Sequence, residues 1–228
     1  MSVSQFVARA ADGLRRLPPR NMTVVSSATI DIDRFKSCGS VFNDRLSLLR
    51  AAYKLAPANG FAMEFGVHKA VSLSYLAKAA PKRRFFGFDS FAGLPEAWNR
   101  SGTDTYEAGH FALDALPKVP ENVTLVPGFF NDSLPEWLRS ADQDVAFLHI
   151  DADLYSSAKL VLDALNDRLR PGAIVVFDEL CDWQDSGVYA NWLEGEWRAL
   201  CEWMRDHQRS VGILGLGPKY SAAIVVVS

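Results

Sequence analysis

The stretch FAMEFGVHKAVSLSYLAKAAPKRRFFGFDS, Phe61–Ser90, decides the fold. It opens with a short apolar run, breaks at Gly66, carries helical spacing from Val71 to Ala80, and returns to a second apolar run that ends just before Asp89. Strand, helix and strand in that order make a βαβ unit, whose crossover implies that the two strands are parallel neighbours. The same alternation continues downstream. Strands are expected at Phe61–Val67, Arg84–Phe88, Val123–Val126, Val145–Ile150 and Ala173–Phe177, with helices over Val71–Ala80, Leu134–Ser140 and Ser156–Leu169 between them.

Beyond Pro171-Gly172 the pattern changes. Asn191–Gln208 reads as a long helix, and Ser210–Leu216 and Ser221–Val227 flank the turn Gly217-Pro218 as a hairpin. Five parallel strands closed by an antiparallel hairpin give a doubly wound, mostly parallel sheet of seven strands. That is the Rossmann-like arrangement of class I methyltransferases, whereas the common nicotinamide-binding fold continues with parallel strands. Upstream of Phe61 the alternation is absent. Asn43–Leu55 reads as a helix with Leu46, Leu48, Leu49 and Tyr53 facing the core. Residues 1–60 are therefore expected to form a helical cap or lid, and residues 61–228 the methyltransferase domain. Within residues 1–20, Val3, Phe6, Val7, Ala10 and Leu14 make an apolar stripe interrupted by several arginines. It suits packing on the core or on a second subunit, hence a homo-oligomer, better than binding a membrane surface.

The balance of 24 basic and 27 acidic side chains, net charge -3, gives no general attraction to nucleic acid or anionic lipid. Three cysteines without CxxC spacing suggest neither a disulfide framework nor a zinc site, and so a cytoplasmic setting is expected. Neither a secretory signal nor an apolar run of ~18 residues, enough to span a bilayer, is evident. At 49% hydrophobic residues the chain can bury a substantial core.

Ligands of open α/β sheets sit beyond the carboxyl ends of the strands, where strand order reverses. The first strand runs into Glu64-Phe65-Gly66, and a glycine there lets backbone approach a ligand while the next helix turns its positive end toward a carboxylate. Asp89, at the end of the second strand, lies near the ~20-residue offset at which an acid meets ribose hydroxyls. One glycine stands where a dinucleotide fingerprint needs three, which argues for a ligand without a pyrophosphate. S-adenosylmethionine meets these requirements, with S-adenosylhomocysteine as product.

Two further strand tips carry acids: VAFLHIDADLYSS places Asp151, and AIVVFDELCDW places Asp178 and Glu179. These tips should be adjacent, and with no Lys or Arg in either motif their repulsion is most simply offset by a divalent cation. All-oxygen ligands favour magnesium. The plainer alternative is that Asp151 caps a helix and the other two are solvated loop acids. His149 faces the same side as Asp151, yet within so apolar a run it reads as a satisfied core residue. Asp153 and Tyr155 read as site walls. The loop Ser101–Pro120 reads as a lid, with Trp98, Tyr106, His110, Trp183 and Tyr189 as candidate acceptor walls.

The motifs EFGV, FGFDSFAGLPE, LVPGFFNDSLP, AFLHIDADLYSS and VVFDE occur in the order found in the macrocin O-methyltransferase family, which the chain resembles from Phe61 to Trp197. The resemblance implies methylation of a sugar hydroxyl on a natural product, with S-adenosylmethionine and Mg2+. It implies donor contacts from Glu64, Gly66, Ser72 and Asp89, and metal contacts from Asp151, Asp178 and Glu179. Asp151 is the expected proton acceptor. Two positions depart from the family pattern: Ala70 replaces a second glycine, followed by a bulkier Val71, and Glu179 stands where members carry Asp. Two rival readings are a methyltransferase of phenolic, catechol-like or other non-sugar hydroxyls, and a noncatalytic protein that binds S-adenosylmethionine.

Overall fold

Strand β2 (Phe61–Phe65) is the middle one of five parallel strands in an eight-stranded sheet, hydrogen-bonded to β3 (Phe85–Asp89) on one side and β7 (Val145–Ile150) on the other. The computed structural model describes residues 22–38 and 40–228. Beyond β3 lies β6 (Val123–Pro127), and beyond β7 lies β8 (Ile174–Phe177), completing five parallel strands. The antiparallel hairpin of β9 (Ser210–Leu216) and β10 (Ala222–Val226) docks on β8 through β10. All seven expected strands are therefore present.

The sheet has one strand more than expected. β1 (Val24–Ser26) pairs antiparallel with β9 and forms the edge, so the N-terminal segment contributes a strand as well as helices α1 (Ile32–Lys36) and α2 (Arg45–Tyr53). The amphipathic stripe of residues 1–20 and the oligomer contact assigned to it lie outside the described residues.

The central strands are covered on both faces, so their side chains sort by parity. Met63, Phe65, Phe86, Phe88, Leu148, Ile150, Val175 and Phe177 point to one core, which is closed by α4 (Phe130–Leu138), α5 (Tyr155–Leu165) and α6 (Glu196–Asp206). Ala62, Phe85, Phe147, Ile174 and Val176 point to the other, closed by α2 and α3 (Val71–Ala79). Phe65 and Phe88 stack at 4.5 Å with planes 11° apart, and Trp137 of α4 meets Phe61, Phe86 and Phe88 edge-on. Truncating any of these buried rings to Ala costs about 3–5 kcal/mol.

The long helix expected over Asn191–Gln208 is divided into a 3-10 turn, Trp192–Glu194, and α6. The break falls at Gly195, whose backbone (φ -95°, ψ -134°) is not helical, and a Cβ there would crowd Tyr189 Oη at 2.3 Å. The expected lid loop begins as a small antiparallel hairpin, β4 (Trp98–Ser101) with β5 (Asp104–Tyr106). No helix among the described residues is long and apolar enough to cross a membrane.

Candidate active site

The chain leaves β2 toward β3 on one side and meets β7 on the other, so strand order reverses at the carboxyl end of β2. Gly66 sits at that point with φ +91°. A Cβ there would stand 1.8 Å from the Asp151 carbonyl oxygen. Only glycine lets the loop after β2 and the tip of β7 come this close. The crossing is tied down on both sides: Gly66 N donates to Phe88 O, and Asp151 N to Phe65 O, each at 2.9 Å.

The loop that follows takes left-handed backbone at two residues with side chains, His68 (φ +45°) and Ala70 (φ +57°). Ala70 stands where the resemblance anticipates glycine, and its left-handed conformation costs roughly 1–2 kcal/mol. Asp89 holds this loop from across the sheet. Its Oδ2 accepts from His68 N at 2.7 Å and its Oδ1 from Phe91 N at 2.6 Å, joining the loops after β2 and β3. A cavity of about 750 Å³ opens above them, with Gly66, Ser72, Asp89, Phe129, Asp151 and Asp153 among its walls.

Glu64 lies below that cavity, fully buried. Ser72 Oγ donates to its Oε1 and His149 Nδ1 meets its Oε2, both at 2.9 Å. The imidazole reaches on through Nε2 to Asp178 Oδ1 at 3.1 Å. Burial opposes charge on His149, yet the carboxylates on its two nitrogens outweigh it and push its pKa up to about 10. His149 is thus a satisfied, charged core residue, and its nitrogens are not available as a base.

Asp151 lies within 4.8 Å of a ligand atom of Asp178 in one group and of Glu179 in another. Asp178 N donates to Ile150 O at 3.0 Å, which sets the tips of β7 and β8 side by side. The compensating positive charge comes from a residue that lies outside both motifs. Arg45, the first residue of α2, donates through Nη1 to Asp151 Oδ2 at 2.9 Å and also to Asp178 Oδ2. Burial disfavours a charge on Asp178, but His149 and Arg45 prevail and hold its pKa below the usual range. The neighbouring acids go the other way. Burial, together with the charge of Asp178, raises Asp151 and Glu179 well above normal, and raises Asp153 to about 7.

Glu196, buried at the start of α6, is a fifth acid here that sequence reading missed; its Oε2 accepts from Glu179 N at 3.0 Å. Among the described residues, Glu196 Oε1 and Glu179 Oε2 are buried without a hydrogen-bond partner. Oxygens of Asp151, Asp153 and Glu179 lie within 4.8 Å of one another, as do ligand atoms of His149, Asp151 and Asp178. With both nitrogens of His149 engaged by carboxylates, the ligand set open to a cation is all oxygen.

Most of the candidate acceptor walls have another role. Trp98 and Tyr189 are buried against each other, Trp98 stacks on Tyr106, and the Arg100 guanidinium lies 5.0–6.0 Å from all three rings. Trp183 Nε1 donates to Gly217 O at 2.7 Å. These groups pack against one another or against backbone, and of the aromatics in the loop expected as a lid, Phe111 lines the cavity.

A family model described as a methyltransferase domain matches residues 63–180, which run from β2 through the carboxylates to the end of the Asp178-Glu179 tip. The chain belongs to this methyltransferase family. Among solved structures, the methyltransferase is similar to CalS11, titled calicheamicin methyltransferase, with 23% identity, a TM-score of 0.62, and coverage of 97% of this chain and 91% of that one. An apo CalS11 structure, titled TDP-rhamnose 3'-O-methyltransferase, matches at 23% identity and TM-score 0.55 over 97% of this chain and 93% of that one. The O-methyltransferase NovP matches at 19% identity and TM-score 0.53 over 85% and 78%. At these identities the likeness shows the fold of the methyltransferase. No curated protein matches it.

Proposed function

We propose that this chain is an S-adenosylmethionine-dependent O-methyltransferase that acts on a hydroxyl of a sugar or glycosylated small molecule, with help from a divalent cation. The observation that carries the reading is that one cavity joins the donor loops at Gly66 and Asp89 to the carboxylates Asp151 and Asp153. The motifs shared with the macrocin O-methyltransferase family, and the TDP-rhamnose on which CalS11 acts, favour a sugar acceptor.

Within this reading Asp89 meets the ribose of the donor while its backbone contacts fix both loops. Glu64 and Ser72 act from beneath, by holding the start of α3 against β2. A hard divalent ion suits the oxygens gathered here: Asp151 has ligand atoms near Asp178 on one side and near Asp153 and Glu179 on the other, and the unpartnered Glu179 Oε2 and the crowding of carboxylates both call for positive charge, with Asp151, Asp178 and Glu179 the proposed ligands. Such an ion, when bound, lowers the pKa of the acceptor hydroxyl.

Proton removal falls to one of the two carboxylates on the cavity wall. Asp151 has its Oδ2 occupied by Arg45. Asp153 takes no hydrogen bond from the described residues, is placed by left-handed backbone (φ +62°), and has its pKa raised to about 7. Asp153 is accordingly the assigned proton acceptor, and Asp151 orients the hydroxyl.

Release of S-adenosylhomocysteine, followed over panels of nucleotide sugars, glycosides and catechols with and without Mg2+, tests the proposal. Turnover on sugar hydroxyls that falls with chelator is the expected result. Turnover confined to catechols selects the phenolic reading, and calorimetric donor binding without turnover on any panel selects a noncatalytic binder.

A further inference from the structure

We infer that Arg45 is a built-in cation that competes with the divalent ion for the Asp151–Asp178 edge of the site, so that loading the ion requires the guanidinium to give way. The inference rests on the reading that Asp151, Asp178 and Glu179 hold that ion. Arg45 Nη1 bridges Oδ2 of Asp151 and Oδ2 of Asp178, and His149 takes the remaining Asp178 oxygen. Asp178 thus has both oxygens engaged before any ion arrives.

The guanidinium is brought to this place by the fold. Asp44 caps α2 by accepting from Ser47 N at 2.9 Å, and the segment before it is pinned to β9 through Phe42 N to Leu216 O and Leu216 N to Ser40 O. The Arg45 side chain remains 38% exposed, which leaves it room to swing toward the cavity without unfolding α2. Two cations sharing Asp151 repel each other at close range, where screening by water is poor. An ion that takes up Asp178 must therefore displace the guanidinium. Arg45 and the ion are thus alternative partners for this edge.

The test is titration of full-length protein with Mn2+ alone, read by electron paramagnetic resonance, with thermal melts in chelator and in Mn2+. In Arg45→Met the competing charge is gone. Mn2+ should bind at least tenfold more tightly than to wild type, and the melting temperature should drop in chelator and recover with Mn2+. Equal or weaker binding by Arg45→Met would mean that Arg45 organises the ligands rather than competing, and overturns the inference, as does absence of Mn2+ binding to both proteins. Arg45→Gln, which removes the charge but keeps a long polar side chain, covers a Met variant that fails to fold. Several-fold tighter Mn2+ binding supports competition there, and unchanged affinity overturns it. Calorimetry with S-adenosylhomocysteine on the same samples separates the two claims. A lost donor site with an intact Arg45 effect would sink the methyltransferase reading alone, while donor binding with no Arg45 effect would sink this inference alone.

Discussion

His149 Nδ1 lies 2.9 Å from Glu64 Oε2 in a pair that joins β7 to β2 with almost no contact with water. Removing the imidazole in His149→Ala leaves Glu64 and Asp178 as buried charges short of a partner, a loss of about 3–5 kcal/mol. The pair also sets a pH signature. The folded pKa, about 10, lies above the ordinary 6.5, so the His149 contribution is complete below pH 6.5 and fades as pH rises toward 10. Urea denaturation of wild type and variant across that range should show the gap between them narrowing with increasing pH. A gap that stays constant would mean the imidazole is neutral.

Gly66 should tolerate no side chain. In Gly66→Ala the new methyl meets the Asp151 carbonyl oxygen, and both atoms belong to hydrogen-bonded backbone that cannot step aside. We expect a loss exceeding about 4 kcal/mol or failure to accumulate as folded protein. Gly102, with no atom within 4 Å of an added Cβ, is the control, and Gly102→Ala should stay within about 0.5 kcal/mol of wild type.

Asp89→Asn keeps the shape but loses the charge that receives His68 N and Phe91 N, and one amide face then opposes a donor. Each charge-assisted hydrogen bond contributes about 1.5–3 kcal/mol, so affinity for S-adenosylhomocysteine should fall about ten- to a hundredfold. Calorimetry would read this directly, and unchanged affinity would remove Asp89 from the donor site.

Asp153→Asn should lower turnover about 10²–10⁴-fold while donor affinity holds. Because a base must be deprotonated to act, the wild-type rate should climb as pH rises through about 7 and level off above it. If Asp151→Asn abolishes the pH step and Asp153→Asn does not, the roles of the two are exchanged.

The seven expected strands were legible because each is a short, mostly apolar run, and all but β10 end at a glycine or an acid. β1 was not, since Val24-Val25-Ser26 is too brief to show a period and acquires its identity only from pairing with β9. The acids at Asp89, Asp151 and Asp178-Glu179 stood out because strand tips carry the chemistry in this architecture. Arg45 left no trace of its role. It begins an ordinary helix more than a hundred positions before its partners, and only the docking of α2 over the sheet reveals the contact. Glu196 was hidden likewise, as one acid among several in a helix whose buried side depends on the Gly195 break.

The edge formed by β1 has a kinetic side. Val25 pairs with Val211, so β1, the first of the described strands in chain order, waits for β9, which follows all of them but β10. Until that long loop closes, β9 presents an open row of amides, and non-local pairings of this sort form slowly. Nascent chains should accordingly pass through a state finished everywhere except at this seam, where self-association would begin.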